Sequence, residues 1–272
     1  MLDSYAVIGN PISHSKSPLI HKTFAQQTNQ SMQYDPILAP LDGFQATVES
    51  FRQHGGKGLN VTVPFKLEAY RLATRLTERA AIAQAVNTLK FENDEILGDN
   101  TDGAGLVRDI EYNLGIPIAE KRILLLGAGG AARGVILPLL QQKPSLLAIA
   151  NRTPAKAAAL QEQFNAYGNS VAGNFIHFAE EHFDIIINAT SASLHDALPE
   201  LPTGVFAQAT LAYDLMYRQE STLFLKFAQQ NGTRQIADGI GMLVEQAAES
   251  FFLWRGVRPQ TKPVILMLKS QI

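Results

Sequence analysis

Short hydrophobic runs alternate with longer segments of helical periodicity along almost the whole chain. Phe44, Val48 and Phe51 recur on one helical face, which predicts a helix over residues 42–54. Residues 122–126 are instead hydrophobic at every position after the first, as is typical of a strand covered on both faces. Repeated alternation of this kind predicts βαβ units around a largely parallel sheet, and hence an α/β fold.

The pattern changes near residue 102, where a second group of strands begins. We therefore expect a second sheet across about residues 103–238. Ser17 and Pro18 predict a helix start, with Ser17 as the N-cap. The predicted helices are 17–29, 42–54, about 102–115 and 242–254, and the predicted strands are 5–9, 34–38, 59–63, 87–91, 122–126, 146–150, 185–188 and 210–214.

Composition narrows the class of protein without identifying it. A length of 272 residues, 46% of them hydrophobic, is enough for two modest domains. The chain has 23 Lys and Arg residues and 25 Asp and Glu residues, so it carries no excess of positive charge. This balance argues against a basic surface that binds nucleic acid. The absence of cysteine excludes disulfides and thiolate sites. No secretion signal and no hydrophobic stretch near the ~20 residues of a membrane helix is visible, so we expect a cytoplasmic protein that does not bind membranes.

A glycine-rich turn follows strand 122–126 and opens a helical segment. Gly127 permits a tight turn, Gly129 lets the backbone approach a pyrophosphate, and Ala132 allows close packing of helix on strand. The first amides of a helix also favour an anion. This context indicates a dinucleotide site, although a glycine-rich connection can also be only a turn.

The segment after strand 146–150 indicates which dinucleotide would bind. An NAD site commonly places Asp or Glu there, whereas this chain has Arg152 and Lys156. Thr153 and Pro154 are explained by a solvated helix N-terminus, but two cations in a first helical turn are disfavoured by ~0.3–1 kcal/mol each. We therefore predict NADP, because a guanidinium and an ammonium suit a 2′-phosphate.

Polar residues are concentrated in the first 103 residues at positions that local structure does not require. Reduction of a ketone creates an alkoxide that needs a proton, and a lysine beside a carboxylate can supply it. Lys66 and Asp102 have these chemistries, although an exposed Lys66 and an N-capping Asp102 are simpler alternatives and spacing does not show that the two meet. The six histidines lack metal-ligand spacing, so we predict no metal site. The polar positions are Ser15, Ser17, Asn60, Thr62, Lys66, Asn87 and Asp102.

These polar blocks, together with the glycine turn and the segments after it, resemble the shikimate dehydrogenase family. The resemblance follows the chain in order over nearly its whole length. It is carried by residues 9–18, 60–66, 85–88, 98–103, 127–133, 151–153, 188–191, 213–217 and 238–247.

The resemblance implies an NADP-dependent oxidoreductase that reduces 3-dehydroshikimate to shikimate, reversibly, on the route to chorismate and aromatic amino acids. It also implies that the C-terminal helices return to the first domain. Residues 1–102 and 239–272 would then form an α/β substrate domain, and residues 103–238 a Rossmann-type NADP domain. Both a monomer and a homodimer are compatible with it.

The resemblance also implies a role for individual residues. Lys66 would be the acid–base residue, paired with Asp102. The position of Gln246 in a mostly hydrophobic helix fits a substrate contact, although a partly exposed helix position explains it too. The implied substrate-binding residues are Ser15, Ser17, Thr62, Lys66, Asn87, Asp102, Tyr217 and Gln246, and the implied cofactor-binding residues are Glu78, Gly127, Ala128, Gly129, Gly130, Ala131, Asn151, Arg152, Thr153, Lys156, Leu215 and Gly239.

Two positions depart from the pattern of the family. Family proteins often have methionine at the position of Leu215 and glycine at that of Ser193. Two other functions remain alternatives at this point. One is an NAD-dependent quinate/shikimate dehydrogenase, against which Arg152 argues, and the other is a non-catalytic NADP-binding sensor, against which Lys66 and Asp102 argue.

Overall fold

The chain folds into two compact α/β units. The computed structural model describes residues 2–195, 197–198 and 201–271. Unit 1 comprises Met1–Gly105 and Val244–Met267, and unit 2 comprises Leu106–Leu243 and Leu268–Ile272. The predicted α/β class is therefore confirmed, with the chain returning to unit 1 after unit 2. None of the described helices is long and apolar enough to cross a membrane.

Unit 1 contains a mixed six-stranded sheet. Its strands are β1 (Asp3–Gly9), β2 (Met32–Leu38), β3 (Gly56–Val61), β4 (Arg75–Leu76), β5 (Thr88–Glu92) and β6 (Glu95–Asp99). They lie in the order β2-β1-β3-β5-β6-β4. Strand β1 is parallel to both neighbours, whereas β5 is antiparallel to β3 and to β6. The antiparallel pairs bring residues before β5 and after β6 to the same end of the sheet.

Unit 2 contains a six-stranded sheet in which every pair is parallel. Its strands are β7 (Arg122–Leu126), β8 (Leu146–Ala150), β9 (Ser170–Gly173), β10 (Ile185–Asn188), β11 (Leu211–Asp214) and β12 (Gln235–Ala237). The order is β12-β11-β10-β7-β8-β9. The central strands are buried, as their unbroken hydrophobic sequences predict. Residues that follow parallel strands share one edge of the sheet, which is where such sheets commonly bind ligands.

The four helices whose bounds were predicted begin within two residues of the predicted positions. The last turn of the predicted 102–115 helix is a π-helix over Asp109–Asn113, followed by Gly115 at φ +70°. The helices are α1 (Ser17–Gln27), α2 (Phe44–Gln53), α3 (Lys66–Leu72), α4 (Glu78–Ala83), α5 (Asp102–Arg108), α6 (Gly130–Gln141), α7 (Pro154–Phe164), α8 (Leu223–Gln230), α9 (Ile240–Arg255) and α10 (Lys262–Lys269).

The prediction that Ser17 caps α1 is wrong. Ser17 is already helical, and Lys16 occupies the N-cap position, where its own side chain makes no cap hydrogen bond. The Ser15 hydroxyl instead accepts a hydrogen bond from the Ser17 backbone N–H at 3.3 Å. Ser15 therefore satisfies an amide that would otherwise lack a partner at the start of the helix.

Candidate active site

Lys66 and Asp102 are in direct contact in unit 1. Lys66 is the first residue of α3, and its Nζ lies 2.5 Å from Oδ2 of Asp102, the first residue of α5. Asp102 thus compensates a cation at the helix end that the macrodipole disfavours. The Lys66 side chain remains 27% exposed, compared with 11% for Asp102. The lysine is therefore both paired and accessible to a small molecule.

Asp102 does not cap its helix with its own side chain. The Asn100 side-chain oxygen accepts the Asp102 backbone N–H at 3.2 Å, and the Asp102 carboxylate points to Lys66 and Asn87 instead. The simpler interpretations of Asp102 as an N-cap and of Lys66 as an unpaired surface residue are therefore wrong. Both residues belong to one polar cluster.

Asn87 fixes the orientation of the Asp102 carboxylate. The backbone N–H of Thr101 donates to Asn87 Oδ1 at 2.9 Å, which settles which end of the amide is oxygen. Asn87 Nδ2 therefore faces Asp102 and donates to its Oδ1 at 2.8 Å. Each carboxylate oxygen of Asp102 accepts a different hydrogen bond, so the group cannot rotate without losing one.

Gln246 on α9 joins the same cluster from the far end of the chain. Its side-chain oxygen accepts hydrogen bonds from Asn87 Nδ2 and from Thr101 Oγ1, both at 3.3 Å. With this oxygen facing Asn87 and Thr101, the two N–H bonds of the amide point elsewhere. Gln246 is thus positioned by the residues that orient Asp102.

The other predicted substrate-binding residues lie at separate points. Ser17 is buried and Ser15 half-buried at the start of α1, and Thr62 is half-buried just after β3. Among the described residues, none of their three hydroxyls bonds to Lys66 or Asp102. Tyr217 follows β11 in unit 2, where partial burial raises the pKa of its hydroxyl.

The predicted pyrophosphate loop in unit 2 has the geometry of a binding turn. Gly127 has φ +104°, and a Cβ there would lie 3.0 Å from the Ala189 carbonyl oxygen, so glycine is needed. A Cβ at Gly129 or Gly130 would meet no atom within 4 Å. The loop therefore leaves open space beside the first amides of α6, and Gly127 to Ala131 can form an anion cradle.

Basic side chains are available beside this loop. Arg152, Thr153 and Lys156 are exposed at the start of α7, and neither cation has an ion pair or side-chain hydrogen bond within the described part of the chain. Asn151 donates from Nδ2 to the Thr153 carbonyl oxygen at 2.9 Å. Thr153 takes the N-cap position, although its side chain makes no cap hydrogen bond. Two unneutralised cations fit a phosphate group.

Leu215 and Gly239, which the resemblance places in the cofactor site, lie against each other in unit 2. A Cβ at Gly239 would lie 2.1 Å from the Leu215 carbonyl oxygen, so only glycine fits without backbone displacement. Glu78 is an exposed first residue of α4 in unit 1, whereas the other predicted cofactor-binding residues belong to unit 2.

Comparison with known proteins decides the family. Family models of the shikimate dehydrogenase substrate binding domain, shikimate / quinate 5-dehydrogenase and the shikimate 5'-dehydrogenase C-terminal domain match residues 7–89, 111–197 and 239–265. A shikimate dehydrogenase (NADP(+)) of Nitrosospira multiformis is 63% identical over 272 residues, covering 100% of this chain and 99% of that protein. The chain belongs to the shikimate dehydrogenase family. The Nitrosomonas europaea shikimate dehydrogenase (NADP(+)) is 61% identical, covering 100% of this chain and 98% of that protein.

Solved structures of similar proteins share the fold. An Ael1 enzyme from Pseudomonas putida gives a TM-score of 0.94 at 54% identity, over 98% of each chain. Shikimate 5-dehydrogenase from Thermus thermophilus, in complex with NADP(H) and shikimate, gives 0.89 at 31% identity, over 100% of each chain. The fold is thus a substrate domain with a Rossmann-type NADP-binding domain.

Sequence reasoning missed part of the cluster in this member of the shikimate dehydrogenase family. Ser250 is fully buried one helical turn after Gln246, and its hydroxyl lies 2.8 Å from that of Thr88 and 3.2 Å from that of Thr101. Asn60 Nδ2 donates to Ser250 Oγ at 3.0 Å. Ser250 lies four residues after Gln246 in a mostly hydrophobic helix, and this spacing is the sequence signal that could have identified it.

Proposed function

We propose that this chain catalyses the reversible, NADPH-dependent reduction of 3-dehydroshikimate to shikimate, on the route to chorismate and aromatic amino acids. The observation that carries the proposal is the Lys66–Asp102 pair, with 2.5 Å between Nζ and Oδ2, in a chain of the shikimate dehydrogenase family. A sensor that only binds NADP has no need of a partly exposed lysine held against an oriented carboxylate.

The pair supports proton transfer to the substrate oxygen. Bound NADPH supplies a hydride to the carbonyl carbon. As negative charge develops on the carbonyl oxygen, the Lys66 ammonium donates a proton to it, which gives the hydroxyl of the product. Asp102 holds the lysine in place and stabilises its charge. In the reverse direction the neutral Lys66 amine accepts the proton of the same hydroxyl.

Polar side chains around the pair would orient a substrate rich in hydroxyls. Asn87 and Gln246 are fixed by the hydrogen bonds described above and present amide groups beside Asp102. We assign the remaining substrate contacts to Ser15, Ser17, Thr62 and Tyr217. Hydroxyl and amide groups both donate and accept hydrogen bonds, so they can bind the hydroxyls and the carboxylate of the substrate.

The residues of unit 2 fit an NADP molecule. The backbone of Gly127, Ala128, Gly129, Gly130 and Ala131 borders open space at the N-terminus of α6, where a pyrophosphate is favoured. We assign Asn151, Arg152, Thr153 and Lys156 to the 2′-phosphate, because the two cations lack internal partners among the described residues. We assign Leu215, Gly239 and Glu78 to the nicotinamide end.

We also propose which domain binds the substrate and which binds NADP. Residues 1–102 and 239–272 would form the substrate domain and residues 103–238 the NADP domain. Two compact units with separate sheets support this division, although residues 103–105 fall in unit 1 and residues 239–243 and Leu268–Ile272 in unit 2. A cytoplasmic location and a monomeric or homodimeric state remain predictions from the sequence.

The direct test is a spectrophotometric assay of NADPH consumption with 3-dehydroshikimate. We expect turnover with this substrate, a preference for NADPH over NADH, and formation of shikimate in the product analysis. Parallel assays with NADH and with quinate separate the proposal from a quinate-oxidising, NAD-dependent activity. A well-folded protein that binds NADPH but reduces no 3-dehydroshikimate would refute the assignment and favour a sensor.

A further inference from the structure

Asp214 is a buried carboxylate at the end of β11 with no cationic partner among the described residues. It is 0% exposed. Its Oδ2 accepts hydrogen bonds from Ser193 Oγ and Thr222 Oγ1, both at 2.7 Å, and its Oδ1 accepts the Met216 backbone N–H at 3.1 Å. A buried charge is costly unless it is hydrogen-bonded, so these three donors keep Asp214 in place.

Ser193 connects Asp214 to the end of the neighbouring strand. The backbone N–H and the hydroxyl of Thr190 donate to Asn188 Oδ1 at 3.1 and 2.7 Å, which fixes the Asn188 amide. Asn188 Nδ2 then donates to Ser193 Oγ at 3.1 Å, while the Ser193 hydroxyl donates to Asp214. The single hydroxyl of Ser193 therefore joins the loops that follow β10 and β11.

The same strand ends also hold Leu215. Its backbone N–H donates to the Asn188 carbonyl oxygen at 3.0 Å. The Met216 carbonyl oxygen accepts the Gly239 N–H at 3.1 Å, and Gly239 packs directly against Leu215. The Asp214 carboxylate is thus bonded to the residue directly after Leu215, and the Asn188 backbone is bonded to Leu215 itself, so both residues help to hold Leu215 in place.

We propose that Ser193 and Asp214 are positioning residues for the cofactor, which hold Leu215 and the loop after β10 in the shape that receives the nicotinamide end of NADP. The inference rests on the proposed function, which assigns Leu215 and Gly239 to that end. A glycine at position 193 would make neither of these two side-chain hydrogen bonds. This chain therefore stabilises its cofactor loops with a serine hydroxyl.

The test compares Ser193→Ala and Ser193→Gly with the unmodified chain. The dissociation constant of NADP⁺ is measured by isothermal titration calorimetry, and kcat, KM and Tm are measured in parallel. We expect Ser193→Ala to weaken NADP⁺ binding about fivefold, because the Asp214 carboxylate loses one of its donors and the Asn188 amide loses its acceptor, and Ser193→Gly to weaken it at least as much. The KM for NADPH should rise in proportion, with a smaller change in kcat.

Thr233→Val is the matched control, because Thr233 is also buried in unit 2 and its hydroxyl has no hydrogen-bond partner in the described structure. It should leave the NADP⁺ affinity unchanged. Unchanged NADP⁺ affinity in Ser193→Ala, with or without a lower Tm, would overturn the inference, because a purely structural role affects Tm alone. If the unmodified chain does not oxidise shikimate, that result contradicts the proposed function and not the positioning role of Ser193.

Discussion

His21 provides a measurable link between pH and the stability of unit 1. It lies on α1, is 0% exposed, and its ring stacks on that of Tyr34 at 4.2 Å between centroids. Neither ring nitrogen is in hydrogen-bonding geometry with a described residue. Burial lowers the pKa of His21 from 6.5 to about 3, and the nearby Asn60 side chain offsets only part of this change. The folded protein therefore keeps His21 neutral in mild acid.

The stability of the folded protein should fall with pH because the unfolded state binds a proton at His21 more readily than the folded state does. Between pH 6.5 and about 3 the unfolded chain protonates this histidine and the folded chain does not, so the stability contributed by neutral burial is lost as the pH falls. At about pH 5 the difference in protonation free energy amounts to about 2 kcal/mol. His21→Phe removes the titratable group and keeps an aromatic ring in the cluster with Phe24, Phe251 and Trp254.

The assay is urea unfolding at about pH 7.5 and about pH 5, followed by the fluorescence of Trp254. Trp254 is the only tryptophan and its ring lies 5.4 Å from the His21 ring between centroids, so it reports unfolding of unit 1. We expect the unmodified chain to lose about 2 kcal/mol more than His21→Phe between the two pH values. All other titrating groups are common to both proteins and cancel in this difference.

The matched control is His54→Gln, which changes an exposed histidine instead of the buried one. It should retain the pH dependence of the unmodified chain. An equal loss of stability in the unmodified chain and in His21→Phe would refute the reasoning, since it would mean that His21 is protonated, or neutral, to the same extent in both states.

Three further predictions concern the proposed site. Lys66→Ala should lower kcat by about 10²–10⁴ and change KM little, in steady-state assays with 3-dehydroshikimate, whereas a rise in KM alone would make Lys66 only a binding residue. Arg152→Ala should reduce the preference for NADPH over NADH about tenfold or more, with little loss of activity with NADH. The control Arg234→Ala, which changes an exposed arginine before β12, should leave this preference unaltered. An unchanged preference in Arg152→Ala would place the 2′-phosphate elsewhere. Gly239→Ala should weaken NADP⁺ binding in calorimetry because its Cβ would lie 2.1 Å from the Leu215 carbonyl oxygen, and unaltered affinity would show that this contact does not shape the cofactor site.

Strand prediction was accurate where burial is complete on both faces. The sequence predicts β7, β8 and β10 with the bounds that the structure has, because unbroken hydrophobic runs have few other interpretations. It misses β9 and β12, which are the two edges of the sheet in unit 2. In unit 1 it also misses β4, which has only two residues, and β6, an interior strand whose short hydrophobic run lies between the acidic residues Glu95 and Asp99. Edge strands need hydrophobic residues on fewer positions, so their sequences do not differ from those of loops.

Side-chain roles at helix starts were harder to predict than the helices themselves. Ser17 and Asp102 both have the side chains of N-caps, yet both are already helical. In each case a residue two positions earlier, Ser15 or Asn100, accepts the first backbone N–H. A sequence shows which residues can cap a helix but not which of two neighbours does so. The second residue is then available for another contact, as Asp102 is for Lys66.

The approach of Lys66 to Asp102 depends on strand register, which residue types alone do not specify. Thr88 is paired with Asp99 across β5 and β6, and Asn60 with Thr88 across β3 and β5, so all three lie on one line across the sheet. The residues that follow β3, precede β5 and follow β6 therefore meet at one end, which brings together Lys66, Asn87 and Asp102. A slip of one residue would turn these side chains to the opposite face. The proposed proton-transfer pair is thus a product of the antiparallel register as much as of the lysine and aspartate themselves.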